Sequence, residues 1–377
     1  MGCVKLFSDN YADTNVYANL LVSSEQANFP AENVLSTVRR SKVWRSEGYY
    51  LIESGSNTIV FRDVSGGSDK TATVAAGEYT STALFMAAVD AAFEAAGSAN
   101  YTVTQDATTL RFVITSDVSG GATHFELYWA TSTAMAAIMG FDAVDLTGAV
   151  TYTADFLRIN TEEFLIFDLG LPSTPNGFAF CGSRNRAIKI STTATLKLQG
   201  NTTNSWSSPG FEETLVYDDQ MIYTLDPDYF SATPYRYWRL LIEDQNPNGY
   251  VEIGSLFLGT HYSPTRGAAQ FPFSTSLDDS SNISYSDGGQ SFSNVLEKTA
   301  TINLTWSALT KQEVEALMDI FEVYGNSYPL FVSFDSSEAF TTSVNRNLKL
   351  VKFTGKPSID LTSPNNFRMS MQFREEI

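Results

Sequence analysis

"RYWRLLIEDQNPNGYVEIGSLFLG", residues 236–259, decides the fold. In an extended chain Trp238, Leu240 and Ile242 share one face, and Tyr237, Arg239 and Leu241 share the other. Asn246-Pro247-Asn248-Gly249 is turn chemistry, and Val251, Ile253 and Phe257 continue an inward row beyond it. Such a stretch could wall a ligand cleft or close a core. A half-exposed strand keeps one face polar. Here both faces carry apolar groups, so the pattern predicts a central strand pair, partly covered on its second side. The expected core anchors are Trp238, Leu240, Ile242, Ile253 and Phe257, with Trp44 upstream as a further anchor in an apolar layer.

The texture around this stretch divides the chain. Residues 1–53 have few helix-period signals and are punctuated by Pro30 and Gly48. Residues 54–156 differ. "NTIVFRDV" and "TATVAAGEYT" have strand composition. "STALFMAAVDAAFEAAG" then places Leu84, Phe85, Ala88, Val89, Ala92 and Phe93 at helical spacing, with Ser81 or Thr82 as cap and Gly97 as stop. Strands "YTVTQD", "TLRFVITSD" and "HFELYWA" follow, then a short helix ended by Gly140, the order of a small α+β unit.

Residues 157–262 return to short strands with closely spaced turn signals, the pattern of an all-β sandwich. Residues 263–377 begin with a Ser/Asp/Gly-rich approach to the strand "KTATINLTW". A helix follows, with Thr310 and Glu313 as a capping box, Val314, Leu317, Met318 and Phe321 as its stripe, and Gly325 as its end. Three more strands complete a second α+β unit. The predicted class is mainly β with α+β: a β-sandwich interrupted by an α+β insertion and followed by a C-terminal α+β domain.

Composition narrows the function. The chain has 377 residues, 43% of them hydrophobic, and a formal charge of −18. Binding a phosphate backbone requires Lys and Arg to neutralise it, so nucleic acid is excluded as an expected partner. No apolar run approaches the roughly 20 residues that span a bilayer, so membrane insertion is not expected. Cys3 and Cys181 are too few for a disulfide framework. Met1-Gly2-Cys3-Val4-Lys5-Leu6 departs from the acylation motif at Leu6.

Catalytic patterns are weak. His124 and His261 adjoin apolar strands, and no zinc-type spacing occurs. "SGGSDKT" departs from a phosphate loop at Asp69, where a Gly must precede the Lys. Glu162-Glu163 and Asp218-Asp219 are the carboxylate pairs any acidic protein carries. No enzyme activity and no cofactor are expected.

"FPAENVLS…KVWRSEG", then "FLIFDLG", then "YRYWRLLIED…GYVEIGSLFLG" resemble in order the discoidin-like (galactose-binding-like) jelly roll. The matches are Ala31 and Asn33, Trp44, Asp168 to Gly170, Arg236 to Arg239, and Glu252-Ile253. The terminal disulfide cysteines of that family are missing, and a whole domain intervenes after Trp44. The inserted piece, with "TATVAAGEYTSTALFMAAVDAAFEA" and "AAIMGF", resembles a module of virion proteins. "LTKQEVEALMDIFEVYGNSYPLFVSFD" and "MQFREEI" resemble the terminal domain of bacteriophage tail-tip proteins, including distal tail proteins. The resemblance implies a structural subunit of a phage tail tip or baseplate, made in the host cytoplasm and resident in the virion. Its partners would be copies of itself in a ring and other tail proteins. A ring needs two different, complementary faces on each subunit.

The alternative is a virion component that recognises host surface glycans. Discoidin-like folds often bind sugars through loops at one end, on aromatic platforms. Trp206, Tyr229 and Phe230 are the candidate carbohydrate-binding residues, although the same side chains suit packing beneath loops or a subunit interface. Asp226 and Asp228 are the candidate ligands for a structural calcium.

Overall fold

The structure is a computed structural model that describes residues 4–12, 19–35, 42–117, 124–157, 162–182, 188–218, 221–225, 229–244, 249–265, 274–279, 281–295, 298–334 and 348–376. Strand residues far outnumber helical ones, 49% against 13%, so the chain is mainly β. No helix among the described residues is long and apolar enough to cross a membrane.

Tyr235–Glu243 is the middle strand of a five-stranded antiparallel sheet, ordered Phe211–Thr214, Thr195–Asn201, Tyr235–Glu243, Glu162–Ser173, Asn19–Val22. Its inner face presents Trp238, Leu240 and Ile242, all fully buried, as the alternation predicted. Trp44, Ile253, Leu165, Phe167, Leu196 and Leu198 join them in one core. Across that core lies a second sheet, which contributes Phe178, Phe180, Ile222, Leu256 and Leu258. Each fully buried apolar side chain adds roughly 1.5–3 kcal/mol, so this layer dominates local stability.

The expected strand pair is corrected here. Tyr235–Glu243 does not pair with the strands that follow it. Glu252–Ile253 pairs with Trp44–Arg45, and Leu256–Tyr262 pairs with Gly177–Cys181 and Lys5–Asn10 in the other sheet. The chain therefore crosses between sheets instead of folding back. Ser46 captures the crossing: its backbone N–H donates to Val251 O, and Val251 N–H donates to Ser46 Oγ. Phe257 is buried, but not in the row of Ile253. The change of sheet resets the alternation, so Leu256 and Leu258 face the first core. Phe257 packs on the opposite face with Phe7 and Phe331.

The second sheet has ten strands and runs through the expected boundary at 262/263. Its order is Met221–Leu225, Gly177–Cys181, Leu256–Tyr262, Lys5–Asn10, Leu330–Ser333, Leu348–Phe353, Asn366–Glu375, Lys298–Leu309, Ser274–Asp279, with Ser358–Ser363 also paired to Asn366–Glu375. Lys5–Asn10 is the junction, with Leu6 opposite both Tyr262 and Val332. Gly259 is required beside it: a Cβ there would lie 1.8 Å from Asp9 O.

Residues 50–154 close a separate core around Phe61, Phe85, Phe93, Phe112 and Phe125. Helix α1 (Thr82–Ala96) is capped by Ser81 Oγ, which accepts from Leu84 N–H. Phe85, Val89, Ala92 and Phe93 face inward, while Leu84 is exposed. Helix α2 (Thr133–Met139) stops at Gly140, whose φ of 76° suits glycine. Two strands escaped the sequence reading. Leu146–Ala149 pairs with Phe125–Leu127, and Thr151–Thr153 pairs with Phe112–Ser116. Both are shorter than the usual strand, four and three residues, and Gly148 weakens the strand signal of the first.

Helix α3 (Lys311–Tyr324) carries the expected capping box of Thr310 and Glu313. Its buried stripe is Val314, Leu317, Ile320 and Tyr324; Met318 and Phe321 are only partly buried. It covers the far half of the ten-stranded sheet on the face that also carries Leu304, Trp306 and Met369.

Candidate functional site

The outer face of the five-stranded sheet gathers the residues with most chemistry. Arg239 alternates with Trp238 and so points away from the core, yet it is 7% exposed. The reason is a lid of side chains. The loop after Thr195–Asn201 is held by Asn201 Nδ2, which donates to Ser205 O at 2.6 Å. It brings the Trp206 ring over Arg239, with the guanidinium carbon 4.7 Å from the ring centroid. Phe164 approaches the same guanidinium at 5.9 Å. Arg239 Nε donates to Gln199 Oε1 at 2.7 Å, and Gln199 Nε2 donates to Glu212 Oε2 at 2.5 Å. Glu162 lies 3.9 Å from Arg239, and Lys197 lies 3.2 Å from Glu212.

Burial pulls the Arg239 pKa down, against the pull of Glu162, Glu212 and Glu243. Gln199 and then Lys197 hold the Glu212 carboxyl below its ordinary range. Tyr49 packs edge-on to Phe164 at 5.3 Å; its phenol is pushed up by burial and then by Glu78 of the inserted unit. The arrangement fastens a loop, a sheet and the root of the insertion around one cation. A cation–π contact of this kind contributes roughly 0.5–2 kcal/mol.

The candidate carbohydrate-binding residues are not assembled into one platform. Trp206 is half-buried on the outer face, with one ring face against Arg239 and its Nε1–H donating to Asn204 Oδ1 at 2.7 Å. Phe230 packs on the core side, stacked 6.0 Å from Phe211 and close to Trp238. Tyr229 is 47% exposed. Asp226 and Asp228 lie outside the described residues. Among the described residues no group of three or more His, Cys, Asp or Glu side chains is placed to hold a metal ion.

The remaining sequence candidates lie at separate places where described, each beside its own neighbours. His261 Nδ1 lies 2.8 Å from Asn176 Oδ1, and His124 lies 3.9 Å from Glu126. Cys181 is buried, 3.7 Å from Ser255 O. Glu162 and Glu163 point to opposite faces: Glu163 is fully buried and accepts from Ser23 and Ser24. Asp69 pairs with Arg62 where the chain returns between the paired strands Thr58–Arg62 and Lys70–Thr73.

A second surface was missed because "STSLDDSSNISYSDGGQSFSN" looked like a polar approach. It forms the edge strand Ser274–Asp279 and a hairpin of Asn282–Tyr285 and Ser291–Asn294. The hairpin turns at Ser286–Gln290, where Gly289 N–H donates to Ser286 O at 2.9 Å. Asp287-Gly288 is the signal that could have revealed it. Ile283, Tyr285, Phe292 and Val295 are all more than half exposed there. No known protein-family model matches this chain, and no curated protein is detectably similar to it.

Proposed function

We propose that this chain is a non-enzymatic structural subunit of a bacteriophage tail tip or baseplate, making ring and adaptor contacts with copies of itself and with other tail proteins. The observation that carries the reading is the exposed hairpin at residues 281–295. Large apolar side chains stand in water there on a ribbon that pairs with no other strand among the described residues. Exposed apolar groups collected in one place mark interaction surfaces.

The finer fold assignment in this proposal is a discoidin-like jelly roll with an α+β insertion and a tail-tip-like C-terminal domain. Its support is that the motif residues hold demanding positions. Asn33 Nδ2 donates to Val43 O, Trp44 is fully buried with Nε1–H donating to Ser24 O, and Arg45 pairs with Glu252. Arg236 meets Asp168 through two hydrogen bonds at 2.6 and 2.7 Å.

The glycan-binding alternative rests on Trp206, Tyr229 and Phe230, and two of those rings are already engaged by the protein. Sedimentation and negative-stain imaging of the purified full chain test the proposal. Closed rings are expected; a monomer at every concentration, or strong selective binding on a glycan array, overturns it.

A further inference from the structure

We propose that the hairpin of one copy adds to the free edge of Ser358–Ser363 in the next copy, making a head-to-tail contact; this rests on the self-assembling scaffold reading above. An isolated two-stranded hairpin is marginal in water and needs a third strand or a packed face. Among the described residues of its own chain the hairpin has neither: Asn282–Tyr285 pairs there only with Ser291–Asn294, and residues 283–295 are all exposed.

Ser358–Ser363 has the complementary deficiency. It pairs with Asn366–Glu375 on one side, all six of its residues are exposed, and Ile359 and Leu361 stand on one face. Ile359 lies opposite the fully buried Met369, and Leu361 opposite Phe367. The row of apolar side chains under α3 therefore runs out to this edge and continues into solvent. A strand from outside would complete the ladder and lay its own apolar groups beside Ile359 and Leu361.

Charge identifies the occupant as a second copy. At −18 the chain repels itself over most of its surface. Residues 281–295 carry only Asp287, and residues 358–363 only Asp360, so these two segments meet with little repulsion. Position decides the geometry. Across the sheet the order is Ser358–Ser363, Asn366–Glu375, Lys298–Leu309, Ser274–Asp279, and the hairpin extends from the last of these. Donor and acceptor thus lie on opposite sides, three strand spacings or about 14 Å apart at the sheet. A contact between different faces is heterologous, the kind that closes rings.

Two full-length double variants test this: Tyr285→Asp with Phe292→Asp in the donor, and Ile359→Asp with Leu361→Asp in the acceptor. Circular dichroism and thermal unfolding establish that each remains folded. Each alone is expected to self-associate about 10-fold or more weakly than the parent in sedimentation. Mixed together, they are expected to form a 1:1 complex and nothing larger, because one intact donor meets one intact acceptor. Failure of the mixture to form that dimer overturns the proposal. If both variants still assemble like the parent, the contact is elsewhere and the scaffold reading stands without it. A parent chain that stays monomeric overturns both.

Discussion

Tyr235–Glu243 and the hairpin at 281–295 are written in similar alternating patterns and live in opposite surroundings. In the first, Trp238 and Leu240 meet the second sheet, while Arg239 on the reverse is sealed by Trp206 and Phe164. In the second, Tyr285 and Phe292 point to opposite faces of a ribbon, and both are exposed. Alternation specifies an extended chain. What covers each face is set by neighbours distant in sequence, or by another molecule.

The contrast breaks most sharply at Trp238. Trp238→Ala should lower unfolding stability by roughly 3–5 kcal/mol in urea denaturation, as removal of a fully packed indole does. A loss below about 1 kcal/mol would mean that this ribbon is not central. Arg239→Ala should cost roughly 1–3 kcal/mol in the same measurement, because Gln199 loses its donor, Glu162 loses the nearby cation and Trp206 loses the guanidinium beneath its ring. Arg239→Lys should recover little of it, since the planar stacking is lost.

Acid sharpens the comparison next. Arg236 holds the Asp168 carboxyl below its ordinary range, with the Gly170 N–H adding to the effect. The folded state therefore binds this proton less readily than the unfolded chain. The pair's contribution is complete above the ordinary carboxylate pKa and fades as pH falls through the depressed folded value. Asp168→Asn should remove about 1 kcal/mol at neutral pH and flatten the acid limb of the stability profile. An unchanged acid limb would show that the pair carries no linkage.

Trp206→Ala should cost about 0.5–1 kcal/mol and speed hydrogen exchange in the 202–210 loop. Unchanged exchange would show that the ring does not fasten that loop. The smallest effect belongs to the exposed ribbon. Phe292→Ser should move the unfolding midpoint of the monomer by less than about 0.5 kcal/mol while weakening assembly. A large loss of folding stability would place Phe292 in a core and erase the contrast.

Local rules made several elements legible in the sequence. Ser81 and Thr310 announce α1 and α3, and Gly140 ends α2, because capping is settled within a few residues. The buried face of Tyr235–Glu243 followed from period alone, and so did that of α1 apart from the exposed Leu84. Partnership did not. Nothing between Asp244 and Val251 says whether the chain folds back or crosses, since Ser46 makes that choice from far away. Phe257 went to the wrong layer for the same reason. In the sequence Arg239 is only a member of the second face and of the Arg236 to Arg239 match; its aromatic cover comes from a loop whose course no pattern encodes. In the hairpin, serines hid Ile283, Tyr285 and Phe292.

Lys5–Asn10 lies in the middle of the ten-stranded sheet, between Leu256–Tyr262 and Leu330–Ser333. On the ribosome this early segment emerges long before either neighbour exists. Residues 50–154 can close their own core as soon as they leave the exit tunnel, whereas the sheet must wait for Leu256–Tyr262 and Leu330–Ser333 to be made. Synthesis order thus lets the inserted unit mature before that sheet, and keeps the strand that joins its two halves waiting for partners more than 200 residues away.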